Sequence, residues 1–254
     1  MKVRESEFIR RKKPVLKKLM ERLLEIYPYV SLLATDSKAK SYMVSRLNTG
    51  INENIVLTAR GFVVKISDGK HYAEYSFSRI SEALLDEICD QIAATIALSQ
   101  NAVPDGMAEN EYVFPEDERE VFTGSTEYEI DPEKMGDDVI LEHLAKIKDR
   151  GLAVSDQILD CSVRCNYQIY SKLFLSRQKE LEQNVMWMTG SISLAAPRGD
   201  EIKDYYKGYS NLGGAEILEQ MEHGVEECAH VTLELLKSEP MIPGEYDCVC
   251  EPGV

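Results

Sequence analysis

The pair Asp68-Gly69 constrains this chain most. It separates two alternating runs, NIVLTARGFVVKIS from Asn54 and HYAEYSFS from His71. Asp-Gly in that position is a strong hairpin signal, because both central residues of the tight turn need positive φ. The two runs are therefore predicted to pair antiparallel, after a third strand-like run, YVSLLATD from Tyr29. Leu16, Leu19, Met20, Leu23, Leu24 and Tyr27 recur at helical spacing, which predicts an amphipathic helix over residues 13–27, entered through Pro14. On the far side Ser81 is placed to cap a helix carrying Leu85, Ile88, Ile92 and Ile96 on one face, with Glu82 near the positive end of its dipole. Helix, antiparallel strands, helix is an α+β layer pair.

From residue 101 to 131 the pattern dissolves into an acidic stretch punctuated by Pro104, Pro115 and Pro132, which buries little and reads as surface or linker. Asp131-Pro132 then opens a helix bearing Ile140, Leu144 and Ile147, predicted to stop at Gly151 after Lys148 and Arg150. Three long alternating runs follow, CSVRCNYQIYSKLFLS from Cys161, NVMWMTGSISLAAP from Asn184 and DEIKDYYKGYS from Asp200, with residues 177–183 as a turn region. They predict a second antiparallel sheet. A helix after Gly213-Gly214 carries Leu218, Met221, Val225, Ala229, Thr232, Leu233 and Leu236 and is stopped by Pro240 and Pro243. The last piece, GEYDCVCEPGV, has a strand pattern, and a single strand needs partners. The expected fold is thus α+β, with two antiparallel-sheet-plus-helix units at 1–104 and 132–238, an acidic linker at 105–131, and at 239–254 the first strand of a truncated carboxyl-terminal domain.

Charge narrows the function. The net charge is −15, and between Asp105 and Glu142 fourteen acidic residues face only Arg119 and Lys134, so that block carries most of it. Nucleic-acid binders concentrate positive charge, so no nucleic-acid partner is expected. The basic run Arg10, Arg11, Lys12, Lys13, Lys17, Lys18 is the one candidate anion patch and reads first as the solvated face of a helix. Apolar stretches fall well short of the roughly 20 residues that span a bilayer, and MKVRESEFIRRKKP is too charged for a secretory signal. A cytoplasmic protein with no membrane partner is expected, its six cysteines reduced.

No complete catalytic constellation is present. His223, Glu227 and His230, at i, i+4 and i+7, are one possible zinc-like set, but they fall opposite the apolar stripe of their helix and read as solvated side chains. Cys161/Cys165 and Cys248/Cys250 each put two thiols on one face of a strand, without C-x-x-C spacing, and read as small core hydrophobes. Gly213 and Gly214 precede a helix where backbone N–H groups can hold an anion, but they read first as glycines that allow a tight turn. Met186, Trp187 and Met188 beside Tyr205, Tyr206 and Tyr209 form an aromatic cluster, read as sheet-face packing before peptide binding. His71 and His143 join no triad. No catalytic, cofactor-binding or metal residue is assigned.

Three strings stand in a telling order: LTARGFVVKISDGKHYAEYSFSRIS, GYSNLGGAEILEQ and CAHVTLELLKSEPMIPGEYDCVCEPGV. In sequence and spacing, over roughly residues 29–254, they resemble the TldD/PmbA family of zinc metalloproteases, also called modulators of DNA gyrase. In that family the strand similar to GEYDCVCEPGV is followed almost at once by H-E-x-x-x-H, whose histidines bind zinc, with a distant cysteine completing the site. This sequence stops before that motif, so none of its residues matches a family zinc ligand. The resemblance implies a peptidase acting on unfolded or small peptides inside a closed dimer, with zinc held by the missing portion of the parent protein and none by this chain. It implies a homodimer or a TldD–PmbA-type heterodimer. Two alternatives stand beside it: a PmbA-like non-catalytic partner subunit, and a small soluble α+β binding module.

Overall fold

The computed structural model describes residues 1–53, 57–101 and 118–250. In chain order the elements are α1 (Glu7–Leu24), β1 (Tyr29–Val44), β2 (Thr49–Glu53), β3 (Ala59–Ser67), β4 (Tyr72–Phe77), a 3₁₀ turn (Glu82–Leu84), α2 (Leu85–Asn101), β5 (Glu120–Ser125), α3 (Pro132–Met135), α4 (Asp137–Ala153), β6 (Asp160–Ser176), β7 (Lys179–Arg198), β8 (Glu201–Asn211) and α5 (Ile217–Leu235). The class is α+β, as expected.

The two predicted sheet-plus-helix units share one eight-stranded sheet, ordered β4-β3-β1-β6-β7-β5, with β2 beside β1 and β8 beside β7. The join is β1 against β6, antiparallel from Ser31↔Ser176 to Val44↔Val163. All pairs are antiparallel except β5 with β7. Because the β1–β6 register never slips, even-numbered β1 residues and odd-numbered β6 residues keep one face throughout. That face carries two apolar clusters. Val30, Leu32, Ala34, Leu173 and Leu175 pack with β3, α1 and α2, whereas Tyr42, Val44, Cys161, Val163 and Cys165 pack with β7, α4 and α5. Both helical layers therefore cover the same side of the sheet.

Several boundaries differ from the sequence expectation for identifiable reasons. Helix α1 starts at Glu7, not at 13, because the Ser6 hydroxyl accepts the N–H groups of Phe8 (3.1 Å) and Ile9 (3.3 Å), which leaves Pro14 inside the helix. Ser81 opens a 3₁₀ turn, and its side chain makes no cap hydrogen bond. At the β3–β4 hairpin only Gly69 has positive φ (100°), and a four-residue loop replaces the two-residue turn. Its Asp68 carboxylate accepts the N–H groups of Lys70 and His71.

Gly136, at φ 88°, separates α3 from α4. Gly151 lies within α4 and does not end it. A Cβ there would come 2.9 Å from both Cys161 Sγ and Val225 Cγ2, so the glycine serves close packing of helix on sheet. The turn predicted over 177–183 is confined to Arg177 and Gln178, and β7 already begins at Lys179. The polar residues that suggested a longer turn are spent on ion pairs: Glu182 is only 8% exposed and meets Lys13.

Of the acidic linker, 105–117 lies outside the described residues, as do 54–56 of the strand run beginning at Asn54. The later part is partly ordered into the sheet, since β5 runs beside the first residues of β7 and Lys2 bridges to Glu127. The strand expected in GEYDCVCEPGV is absent among the described residues. Residues 239–250 are exposed and join no ladder, and 251–254 lie outside the description. No helix among the described residues is long and apolar enough to cross a membrane.

Candidate functional site

On the helix-bearing face of the sheet, the middle of β1 lies between the two apolar clusters. Its residues on that face, Asp36, Lys38 and Lys40, are polar where their neighbours Ala34 and Tyr42 are buried. Each is tied down. Asp36 receives Arg60 Nε at 2.8 Å and the Ser6 hydroxyl. Lys38 meets Glu133 at 2.6 Å. Lys40 donates to both Asp137 oxygens, at 3.0 and 2.9 Å, and Tyr42 donates to the same carboxylate at 2.7 Å. The Lys40 and Tyr42 hydrogen bonds hold the Asp137 carboxyl below its ordinary range. Burial, followed by that carboxylate, pushes the Tyr42 phenol up.

Above Asp36 opens a cleft of about 870 Å³, lined by residues 4–8 at the start of α1 with Arg11, Lys12, Lys38, Arg60 and Ser171. Arg60 lies over the Phe8 ring, 4.7 Å from its centroid, and Phe8 stacks on Phe62 at 5.5 Å. At the back, the Ser171 hydroxyl accepts Ser6 N–H at 3.0 Å and donates to Asn184 at 2.6 Å. Beneath α1, Lys13 bridges Glu180 and Glu182. Burial works against the ammonium, yet the two carboxylates outweigh it and raise its pKa.

The basic run of α1 is thus not an open patch. Arg10 and Arg11 pair with Glu7, Lys17 with Glu180 and Lys18 with Glu82, while Lys12 donates to the Ile80 carbonyl at 2.9 Å. On α5, His223 and His230 are exposed; Glu227 is engaged by Lys207 at 2.7 Å, and His230 Nδ1 lies 2.7 Å from the Glu226 carbonyl. Among the described residues no group of three or more His, Cys, Asp or Glu is arranged to hold a metal ion. The other histidines lie apart, His71 against Asp68 at the hairpin and His143 on α4.

Cys161 and Cys165 pack in the second core cluster, and burial pushes both thiols up to about 12. Cys248 and Cys250, by contrast, are exposed, with sulfurs 3.9 Å apart. Met186 and Met188 are buried on the helix side, while Trp187 points to the opposite face and donates to Ser210 at 2.9 Å. Tyr205 and Tyr209 pack against the cluster under α5, and Tyr206 is exposed.

At Gly213-Gly214 the anion already belongs to the chain. Glu216 accepts Gly214 N–H at 2.8 Å and Ile130 N–H at 3.1 Å, and Gly213 N–H goes to the Met186 carbonyl. Burial opposes the Glu216 charge, but the N–H groups of Gly214, Glu216, Ile130 and Glu129 hold its carboxyl below the usual range. A Cβ on Gly214 would fall 1.9 Å from the Ile130 carbonyl oxygen.

The cleft residues Arg4 and Arg60 gave no sequence signal. They are brought together by the β1–β3 pairing and by the chain entering α1, neither of which is written in local spacing.

No family model and no curated protein matches the chain. Solved structures do. The chain is similar to a protein described as a candidate modulator of DNA gyrase from Bacteroides thetaiotaomicron, with TM-score 0.64 and 14% identity over 89% of this chain and 49% of that one. A similarly described protein from Thermotoga maritima gives TM-score 0.67 and 10% identity over 90% and 50%. TldE from Thermococcus kodakarensis gives 0.59 and 10% over 86% and 47%. At these identities the likeness is one of fold, and the chain spans about half the length of each.

Proposed function

We propose that this chain is the amino-terminal and central, non-catalytic portion of a TldD/PmbA-like metalloprotease, a scaffold that helps wall a peptide-degrading chamber. The observation carrying this is that some nine-tenths of the chain follows the fold of gyrase-modulator proteins over half their length. The donor set agrees: the His223, Glu227 and His230 side chains are spread over an exposed helix face, with Glu227 spent on Lys207, and do not fit zinc. Peptide-bond chemistry, and any zinc that would activate it, then belongs to residues outside this chain. The locally acidic composition suits a peptide substrate better than a phosphate backbone.

Reading the coding frame directly after the Val254 codon tests the proposal. A carboxyl-terminal domain carrying H-E-x-x-x-H is expected. An intact domain lacking that motif would assign the non-catalytic partner role instead, and a stop codon with no further domain would contradict the proposal.

A further inference from the structure

The cleft beside Asp36 is within the size range of small-molecule sites, at about 870 Å³. Five cations line it, Arg4, Arg11, Lys12, Lys38 and Arg60, against Glu5, Glu7 and Asp36. It is a locally positive hollow in a chain of net charge −15.

Most of these charges are already matched. Glu7 pairs with Arg11, Asp36 with Arg60 and Lys38 with Glu133, while Glu5 has no ion pair among the described residues and burial, with Glu182 beside it, raises its carboxyl pKa despite Lys13 and Arg10. Two cations remain. Lys12 gives an N–H to the Ile80 carbonyl, which positions the ammonium without neutralising it. Arg4 is exposed and makes no ion pair among the described residues. Arg60 is fixed between Asp36 and the Phe8 ring, so this wall of the cleft is formed in advance. The helix start itself offers little, since Ser6 already takes the Phe8 and Ile9 N–H groups.

We propose that this cleft binds a compact, doubly charged anion, a phosphate or a small dicarboxylate, with Arg4 and Lys12 as its principal ligands. Arg4 and Lys12 are the lining cations without a carboxylate partner among the described residues and outnumber the unpaired Glu5, and charge-assisted hydrogen bonds from guanidinium and ammonium groups supply the affinity.

The test is isothermal titration of the full chain with inorganic phosphate and, separately, with succinate, at an ionic strength held constant with sodium chloride. Saturable one-site binding of at least one probe is expected, and the pair shows whether the phosphate or the dicarboxylate is preferred. Arg4→Gln and Lys12→Met should each weaken it about tenfold, the loss expected for one charged hydrogen bond. Arg177→Gln, in the exposed β6–β7 turn, should leave it unchanged. Arg4 is exposed, so its variant keeps the test valid even if Lys12→Met unfolds α1. Absence of saturable binding by both probes, or unchanged binding in a folded Arg4→Gln variant, overturns the proposal.

Discussion

The Asp68 carboxylate accepts Lys70 N–H (2.9 Å) and His71 N–H (2.7 Å) through one oxygen, and meets Gln100 Nε2 (2.7 Å) and His71 Nδ1 (3.0 Å) through the other. Burial alone would raise its pKa, but these hydrogen bonds outweigh burial and depress it strongly. A carboxyl depressed in the folded state contributes stability that is full above its unfolded pKa of about 3.9 and is lost as pH falls through the folded value. Asp68→Ala should therefore cost about 1–3 kcal/mol at pH 7. In urea melts that difference should persist to about pH 5 and shrink below about pH 4; a gap independent of pH would show that the hairpin does not depend on the charge. Asp68 was legible as a turn residue, yet its acceptor role was not, because Gln100 is brought to it only by the packing of α2 beside β4. Cys161 and Cys165 were fully legible as core thiols, because alternation alone puts both on the buried face. Glu216 was not, since the groups it binds come from Ile130 and Gly214, far apart in sequence.

Among the elements, α1 shows how a proline was misread. Pro14 follows a basic run and precedes the apolar stripe, which resembles a helix start, but Ser6 and Ile9 extend the same helix by two turns. Pro14 then lacks an N–H for the Arg10 carbonyl, a defect offset by burial of Ile9, Leu16, Leu19 and Leu23. Pro14→Ala should raise unfolding stability by about 1–3 kcal/mol in urea melts. A neutral or destabilising result would mean the helix is not continuous through residue 14. Similarly, alternation located β6, β7 and β8, whereas the first residues of β7 were hidden because Glu182 is made acceptable in the sheet by Lys13 from α1. Strand β5 was hidden for a different reason: it is a short edge strand, with Val121 and Phe122 exposed, inside a linker-like composition.

At the scale of the whole molecule, periodicity predicted both halves of the sheet but not that β1 and β6 join them, since pairing between strands more than a hundred residues apart leaves no local trace. That join ties the two cores to shared strands, so they should unfold together. Leu19→Ala, in the first cluster, should cost about 2–5 kcal/mol and shift the melt reported by Trp187 fluorescence, although Trp187 lies on β7. An unmoved Trp187 transition would mean that the halves fold independently. The shared sheet also frames the functional account, in which this chain builds a wall and leaves the peptide chemistry to other residues. The most direct measurement is cleavage of a fluorescently labelled disordered peptide by the purified chain in zinc-supplemented buffer, with and without a chelator. No cleavage above the buffer blank is predicted; turnover that the chelator abolishes would contradict the account.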